Sequence, residues 1–351
     1  MRSGPGHIPS LDGLRAISVM LVILSHTVSA TLFPGGLGVL VFFVISGFLI
    51  TRLILVEWNS TQTLRKGRFW WRRFWRLGPA VLAYCIAVPL WALANGKTVH
   101  AVEPLASIFY FANFLYAYYS VFSPTGHLPL EHFWSLSVEE HFYWVFPFVF
   151  VACRGRANWL AKAMFAFCVT CLLARIAIVS AWPSITHSRV IYYTDVRADS
   201  IGFGVLLAAM CELEAGRRLV SQLTRPPIFL AAASGIALCL LDRNLWFRET
   251  VRYSLEGTSI AILLAAILFS PRYLFVQRLL NYSPMVWVGI LSYSLYVWHP
   301  LVAIALQRLE TVLPHLIWAA VAISATFVVA SISFYGIEAP LRARFAGRFS
   351  N

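Results

Sequence analysis

LDGLRAISVMLVILSHT, residues 11–27, places an arginine and a histidine in one apolar segment. After Arg15 the run is hydrophobic except for Ser18 and the closing Ser25-His26-Thr27. An ionisable imidazole in a membrane-length helix is costly, so it asks for a functional reason. The eleven-residue step from Arg15 to His26 corresponds to about three helical turns plus about 20°, a rise of roughly 16 Å. The two side chains therefore share a helix face, with Arg15 near one membrane surface and His26 deep in the apolar layer.

The rest of the chain agrees with a membrane setting. Its 351 residues are 59% hydrophobic and 12% charged, with a mean hydropathy of +0.72, about half the charged share of a soluble domain. This composition predicts an all-α integral membrane protein. The net charge of +13 does not point to nucleic acid, because no RNA- or DNA-binding signature accompanies it. Lys and Arg fall between apolar runs, where cytoplasmic loops accumulate them. Cys168 and Cys171 have redox or zinc spacing, but they lie mid-helix without a second pair. They read as packing cysteines, and no metal is expected. No small-residue cleavage site follows the first apolar segment, which should remain as a transmembrane helix. No repeat, linker or composition shift divides the chain, so residues 1–351 read as a single domain.

Ten apolar runs of spanning length occur, near residues 14–33, 36–56, 79–95, 134–153, 159–181, 196–213, 228–242, 255–271, 285–307 and 316–338. Pro34-Gly35-Gly36 reads as a tight turn between the first two. Arg65, Lys66, Arg68, Arg72, Arg73 and Arg76 form a cytoplasmic loop by the positive-inside rule, which puts the N-terminus inside. The aromatic stretch 105–122 decides the later topology. If it does not cross, Arg154, Arg156, Lys162, Arg217, Arg218, Arg225, Arg272, Arg278, Arg342, Arg344 and Arg348 all fall inside; if it crosses, all move outside. We therefore expect ten helices, both termini cytoplasmic, and a re-entrant or interfacial segment near 105–122.

Several polar residues fall within these runs. Glu139 and Glu140 enter the membrane from the outer side to a depth comparable with His26. Adjacent residues lie 100° apart on a helix, so one carboxylate is expected to partner a catalytic group while the other braces the fold. Arg197 can neutralise Asp195 and Asp199, a structural alternative to a role in a site. Pro300 removes a helix donor beside His299 and frees a carbonyl to line a cavity. Together these features predict a buried polar chamber. The basic stretch interleaves Phe69, Trp70, Trp71, Phe74 and Trp75; it fits an anchor for anionic headgroups or a cradle for the phosphates of a nucleotide-containing ligand.

Six blocks carry a resemblance over about 290 residues: IPSLDGLRAISVMLVILSHT at 8–27, GVLVFFVISGFLIT at 38–51, RFWWRRFWRLGPA at 68–80, FWSLSVEEHFYWVFP at 133–147, RADSIGFGVLLA at 197–208 and ILSYSLYVWHP at 290–300. In this order they resemble the membrane-bound acyltransferase-3 family, whose members move acyl groups, usually acetyl, onto hydroxyls of envelope or exported glycans and related molecules. The family's first-helix arginine and histidine match Arg15 and His26, and its double-arginine motif matches Arg73 and Arg76. His141 stands where the family usually has Gln. No esterase-like domain follows the last run, so a stand-alone form is expected.

The resemblance implies cytoplasmic acyl-CoA, probed most simply as acetyl-CoA, as co-substrate, with no bound cofactor. Arg15, Arg73 and Arg76 would hold its phosphates. His26 would act as general base, with Glu139 or Glu140 orienting the imidazole; a covalent acyl-histidine relay is the other route. Ser137, Asp199, Tyr296 and His299 would form the acceptor pocket. The acceptor would be a glycan or lipid-linked saccharide such as exopolysaccharide, O-antigen or lipooligosaccharide, at a bacterial cytoplasmic (inner) membrane. A glycan-precursor or small-molecule transporter, or an acyltransferase of secondary metabolites, are the rival readings.

Overall fold

The computed structural model describes residues 8, 10–122, 127–182 and 186–346, which contain helices and no strand. α1 (Leu11–Thr27) and α2 (Gly35–Thr61) run antiparallel, and α3 (Lys66–Ala94) follows. Two short helices, α4 (Val102–Ile108) and α5 (Ala112–Phe122), lead to α6 (Phe133–Ala152) and α7 (Ala157–Ala181). The short α8 (Thr186–Tyr192) and α9 (Thr194–Arg197) precede α10 (Asp199–Glu212), α11 (Glu214–Leu223), α12 (Pro226–Leu241), α13 (Leu245–Glu249) and α14 (Val251–Phe269). A 3-10 turn at Pro271–Tyr273 connects to α15 (Leu274–Leu280), α16 (Ser283–Ala305), α17 (Gln307–Glu310) and α18 (His315–Ser333). A π-helical segment, Phe334–Glu338, then joins α18 to α19 (Ala339–Ala346).

Six of these helical stretches are long and apolar enough to cross a membrane: α2, α3, α7, α14, α16 and the continuous His315–Phe345. α11 and α12 meet at 72° and would make a seventh if taken as one bent span. α1 with 17 residues and α10 with 14 fall short in length, while α6 carries Glu139, Glu140 and His141 in its middle. Leu82, Ile86, Leu90 and Leu93 form an exposed stripe along α3, a spacing that lines one helix face. Outward-facing apolar stripes on spanning-length helices describe a multi-pass integral membrane protein.

Two local readings change, and the non-crossing reading of 105–122 stands. The basic stretch after α2 is not a loop: α3 begins at Lys66, so Arg68 to Arg76 occupy its first turns. Arginine is a good helix former that extends the span beyond its apolar part, and charge density alone does not break a helix. Gly35 and Gly36 belong to the first turn of α2, capped by Pro34, rather than to a two-glycine turn. The 105–122 stretch breaks at Tyr110, which adopts φ +60°. The resulting helices of 7 and 11 residues are each too short to cross, since spanning needs about 20.

α1 is the centre of the site-bearing half, packed between α2 and α16. A Cβ on Gly289 of α16 would lie 1.9 Å from the Asp12 carbonyl oxygen of α1. Only glycine permits that backbone approach, the small-residue packing that membrane helices use where apolar burial gives no drive. Val19, Val22, Ile23, Phe43, Leu291 and Leu295 fill the interface.

Candidate active site

A cavity of about 450 Å³ lies between α1, α2, α3, α6, α16 and the π segment. Arg15, Arg73, Arg76, Glu139, Tyr296 and Arg342 are among its lining residues. Arg73 is already engaged. Its Nη2 donates to Glu139 at 2.9 Å, its Nε lies 3.5 Å from Glu140, and its guanidinium sits 3.4 Å from the centre of the Tyr143 ring. The hydroxyls of Ser46 and Tyr143 also reach Glu139. One planar guanidinium thus spans two carboxylates that point 100° apart on their helix.

Arg76 is free by comparison. It lies one turn beyond Arg73, lines the cavity and has no carboxylate within 4 Å among the described residues. The same holds for Arg342 of α19, whose guanidinium lies 5.7 Å from the Phe334 ring. Arg15 donates to Asp12 at 3.2 Å. The π segment between α18 and α19 also brings Glu338 to the wall, where it accepts from Ser294 at 2.7 Å and Ser333 at 2.8 Å. Such π segments recur at functional sites.

At the other end the cavity closes on Tyr296, whose hydroxyl lies 2.6 Å from Ser135 Oγ and donates to the His132 carbonyl at 2.8 Å. Behind it, Pro300 has no N–H, so the Tyr296 carbonyl lacks its usual helical donor. His299 supplies one: its Nδ1 lies 2.7 Å from that oxygen. A carbonyl only accepts, so Nδ1 of His299 carries the proton and its Nε2 is an acceptor. That Nε2 lies 3.3 Å from Nδ1 of His26, which also lies 2.9 Å from the Val22 carbonyl. Both partners require a proton on Nδ1 of His26. Its Nε2 is therefore the unprotonated nitrogen, and the His26 side chain is exposed.

The sequence profile of the acyltransferase-3 family, an acyltransferase domain, matches residues 8–336. The chain belongs to the acyltransferase-3 family. It is 31% identical over 350 residues to the peptidoglycan O-acetyltransferase OatA of Listeria monocytogenes, covering 96% of this chain and 56% of that protein. It is 31% identical over 355 residues to the O-acetyltransferase OatA of Staphylococcus aureus, covering 97% of this chain and 58% of the relative. The chain thus spans somewhat over half the length of these relatives. No solved structure matches it.

In this acyltransferase-3 chain the other residues singled out by sequence divide between the cavity and its surroundings. His26 is not a cavity-lining residue and occupies the last turn of α1. Among the described residues the side chain within hydrogen-bonding reach of it is His299, whereas Glu139 and Glu140 are held by Arg73. Glu140 is buried off the cavity wall. Of the expected acceptor pocket, Tyr296 lines the cavity and His299 lies behind it. Ser137 is buried, donating to the Phe133 carbonyl at 3.0 Å. Asp199 lies in a separate cluster, fully buried against Arg175 at 2.7 Å.

Arg197 does not neutralise the two acids. Asp195 pairs with Arg189, Asp199 pairs with Arg175, and Arg197 rests 3.9 Å from the Tyr253 ring. Arg175 passed unremarked in the sequence, although an arginine inside the apolar run 159–181 was signal enough. Ser46, Tyr143 and Glu338 are likewise not singled out by the sequence, and Arg342 is read there only as a cytoplasmic charge; of the four, Tyr143, four residues from Glu139, has a helical-spacing signal. Among the described residues no group of three His, Cys, Asp or Glu side chains is arranged to hold a metal ion.

Proposed function

We propose that this chain is a membrane O-acetyltransferase that carries acetyl from cytoplasmic acyl-CoA to a hydroxyl of a peptidoglycan-type glycan. The name of the Listeria monocytogenes relative supports the acceptor class, and both relatives' names support O-acetyl transfer. The tautomer chain from Pro300 through His299 carries the chemistry, because it leaves Nε2 of the exposed His26 as a proton acceptor behind the Tyr296 end of the arginine-lined cavity.

Arg76 and Arg342, the cavity cations without carboxylate partners, bind the donor's phosphates, and Arg15 contributes a third charge. Arg73 instead holds Glu139 and Glu140 in place. The acyl thioester extends along the cavity toward Tyr296, whose ring centre lies 5.8 Å from that of His299. His26 Nε2 takes the proton of the acceptor hydroxyl as its oxygen attacks the thioester carbonyl. The carbon–sulfur bond breaks, and the imidazolium returns the proton to the departing CoA thiolate. Tyr296 and Ser135 must part for the two substrates to meet. His299, buried and already donating to Tyr296, fixes the imidazole in this tautomer and is a positioning residue, the part a carboxylate plays in hydrolase triads.

In this reading all ten apolar runs cross, and the Arg15 end of the bundle faces the cytoplasm of a bacterial inner membrane. Arg68 to Arg76 and Arg342 gather at that end, as the positive-inside rule requires. The test is to incubate membranes containing the protein with labelled acetyl-CoA and peptidoglycan fragments. An alkali-labile acetyl ester on the glycan, lost in His26→Ala, is the expected product. Substrate flux without an ester would make the protein a transporter instead.

A further inference from the structure

A second cavity, of about 570 Å³, lies on the other side of α2 between α10, α11 and the 3-10 turn after α14. Three arginines from three separate elements line it: Arg52, Arg217 and Arg272. None has a carboxylate within 4 Å among the described residues. Arg218, next to Arg217, is by contrast tied to Glu214 at 2.5 Å. The one acidic residue on the wall, Glu212, leaves the site with an excess of positive charge. The remaining wall combines hydroxyls of Ser221, Thr224 and Ser270 with the apolar Val220 and Phe269.

The frame is fixed. A Cβ on Gly216 would fall 2.2 Å from the Met210 carbonyl oxygen, so α11 lies directly against the end of α10 and sets where Arg217 projects. Tyr273 donates to the Thr224 carbonyl at 3.3 Å, tying the element that carries Arg272 to the end of α11. The elements that carry Arg217 and Arg272 are therefore held in place around the cavity, which lowers the ordering cost of binding.

We infer that this cavity binds a phosphate group. Guanidinium groups lining one cavity with flanking hydroxyls match the acceptor oxygens of phosphate. Basic pockets between membrane helices take anionic headgroups in the same way. The phosphate can belong to an anionic phospholipid, whose glycerol and first methylenes would lie on Val220 and Phe269, or to a soluble anion. The site shares no lining residue with the arginine cavity of the active site, and its occupancy is independent of acyl transfer.

The test is thermal unfolding of the full chain in a zwitterionic detergent, titrated with short-chain phosphatidylglycerol, with phosphatidylcholine of the same length, and with inorganic phosphate. Saturable stabilisation by phosphatidylglycerol alone assigns the site to a lipid phosphate, and stabilisation by inorganic phosphate assigns it to the anion itself. In either case the combined Arg52→Gln, Arg217→Gln and Arg272→Gln variant should weaken binding by about a hundredfold. Arg217→Gln alone, on the exposed face of α11, should cost about fivefold and serves if the triple variant does not fold. Arg218→Gln should change nothing. Stabilisation that survives Arg217→Gln unchanged, equal stabilisation by phosphatidylcholine, or none by any probe overturns the inference.

Discussion

His299 Nε2 lies 3.3 Å from His26 Nδ1, although the two residues are 273 positions apart. The contact gives the exposed imidazole a fixed tautomer, because His299 Nδ1 is committed to the Tyr296 carbonyl at 2.7 Å. Neutral histidine in water samples both tautomers, and only one of them presents a basic Nε2.

Replacing His299 should therefore act through His26. His299→Phe keeps a ring in the buried site but removes the acceptor. It should lower kcat by about tenfold to a hundredfold, the worth of one such hydrogen bond in the transition state, with the donor KM unchanged. His299→Gln, which retains an acceptor oxygen, should recover part of the loss. Equal damage by both variants, or a change in KM alone, would reduce His299 to a packing role.

The arginines of the cavity should separate into two kinds. Arg76→Ala and Arg342→Ala each remove a cation that has no carboxylate partner among the described residues, so each should raise the KM for acetyl-CoA by about tenfold or more and leave thermal stability unaltered. Arg73→Ala should do the reverse. It strands Glu139 and Glu140, whose side chains are 15% and 11% exposed, and uncompensated buried charge costs about 3–5 kcal/mol. The protein should unfold at lower temperature before any kinetic effect is measurable. Initial rates against donor concentration, paired with thermal unfolding, distinguish the two. Equal stability loss in all three variants would mean that Arg76 and Arg342 are also structural.

These contrasts show where the sequence is informative. The Arg15 and His26 pair stands out because ionisable residues are rare in apolar helices, and periodicity alone places both on one face. The ten apolar runs each coincide with a helix for the same reason. Partner choice is another matter. Arg197 sits beside Asp195 and Asp199 in sequence, yet the Asp199 partner comes from α7, and nothing local encodes that approach. Glu338 and Arg342 line the cavity from the π segment and the helix that follows it, and a hydrophobic pattern does not report the one-residue insertion of a π turn. Arg73 and Arg76 share a motif, but only the fold shows that one is neutralised and the other free.

The Arg175 and Asp199 pair yields a prediction about stability alone. Both side chains are fully buried, and Arg175 also donates to the Thr250 carbonyl at 3.0 Å and to Ser254 at 2.5 Å. Arg175→Met leaves a buried carboxylate without its cation and should cost about 3–5 kcal/mol. Adding Asp199→Leu removes that stranded charge, and the double variant should regain most of the loss. Unfolding midpoints in one detergent provide the cycle. A double variant as unstable as the single one would show that Arg175 acts through its carbonyl and hydroxyl contacts rather than through the ion pair.

Pro300 gives the most indirect test of the tautomer chain, because it touches neither substrate nor His26. Pro300→Ala restores a backbone N–H to α16 and removes the ring that crowds the carbonyl four residues earlier. The Tyr296 oxygen then has an ordinary helical donor and is no longer displaced toward the His299 ring. His299 loses the constraint on its Nδ1 proton, and with it the fixed acceptor that His26 faces. The helix itself should be no weaker, since alanine is favoured over proline in a helix interior by about 3 kcal/mol. The expected result is a variant of equal or higher thermal stability whose kcat falls by about tenfold with the donor KM preserved. Unchanged kcat in a stabilised variant would break the link from Pro300 to His26, leaving the proline as a feature of helix packing.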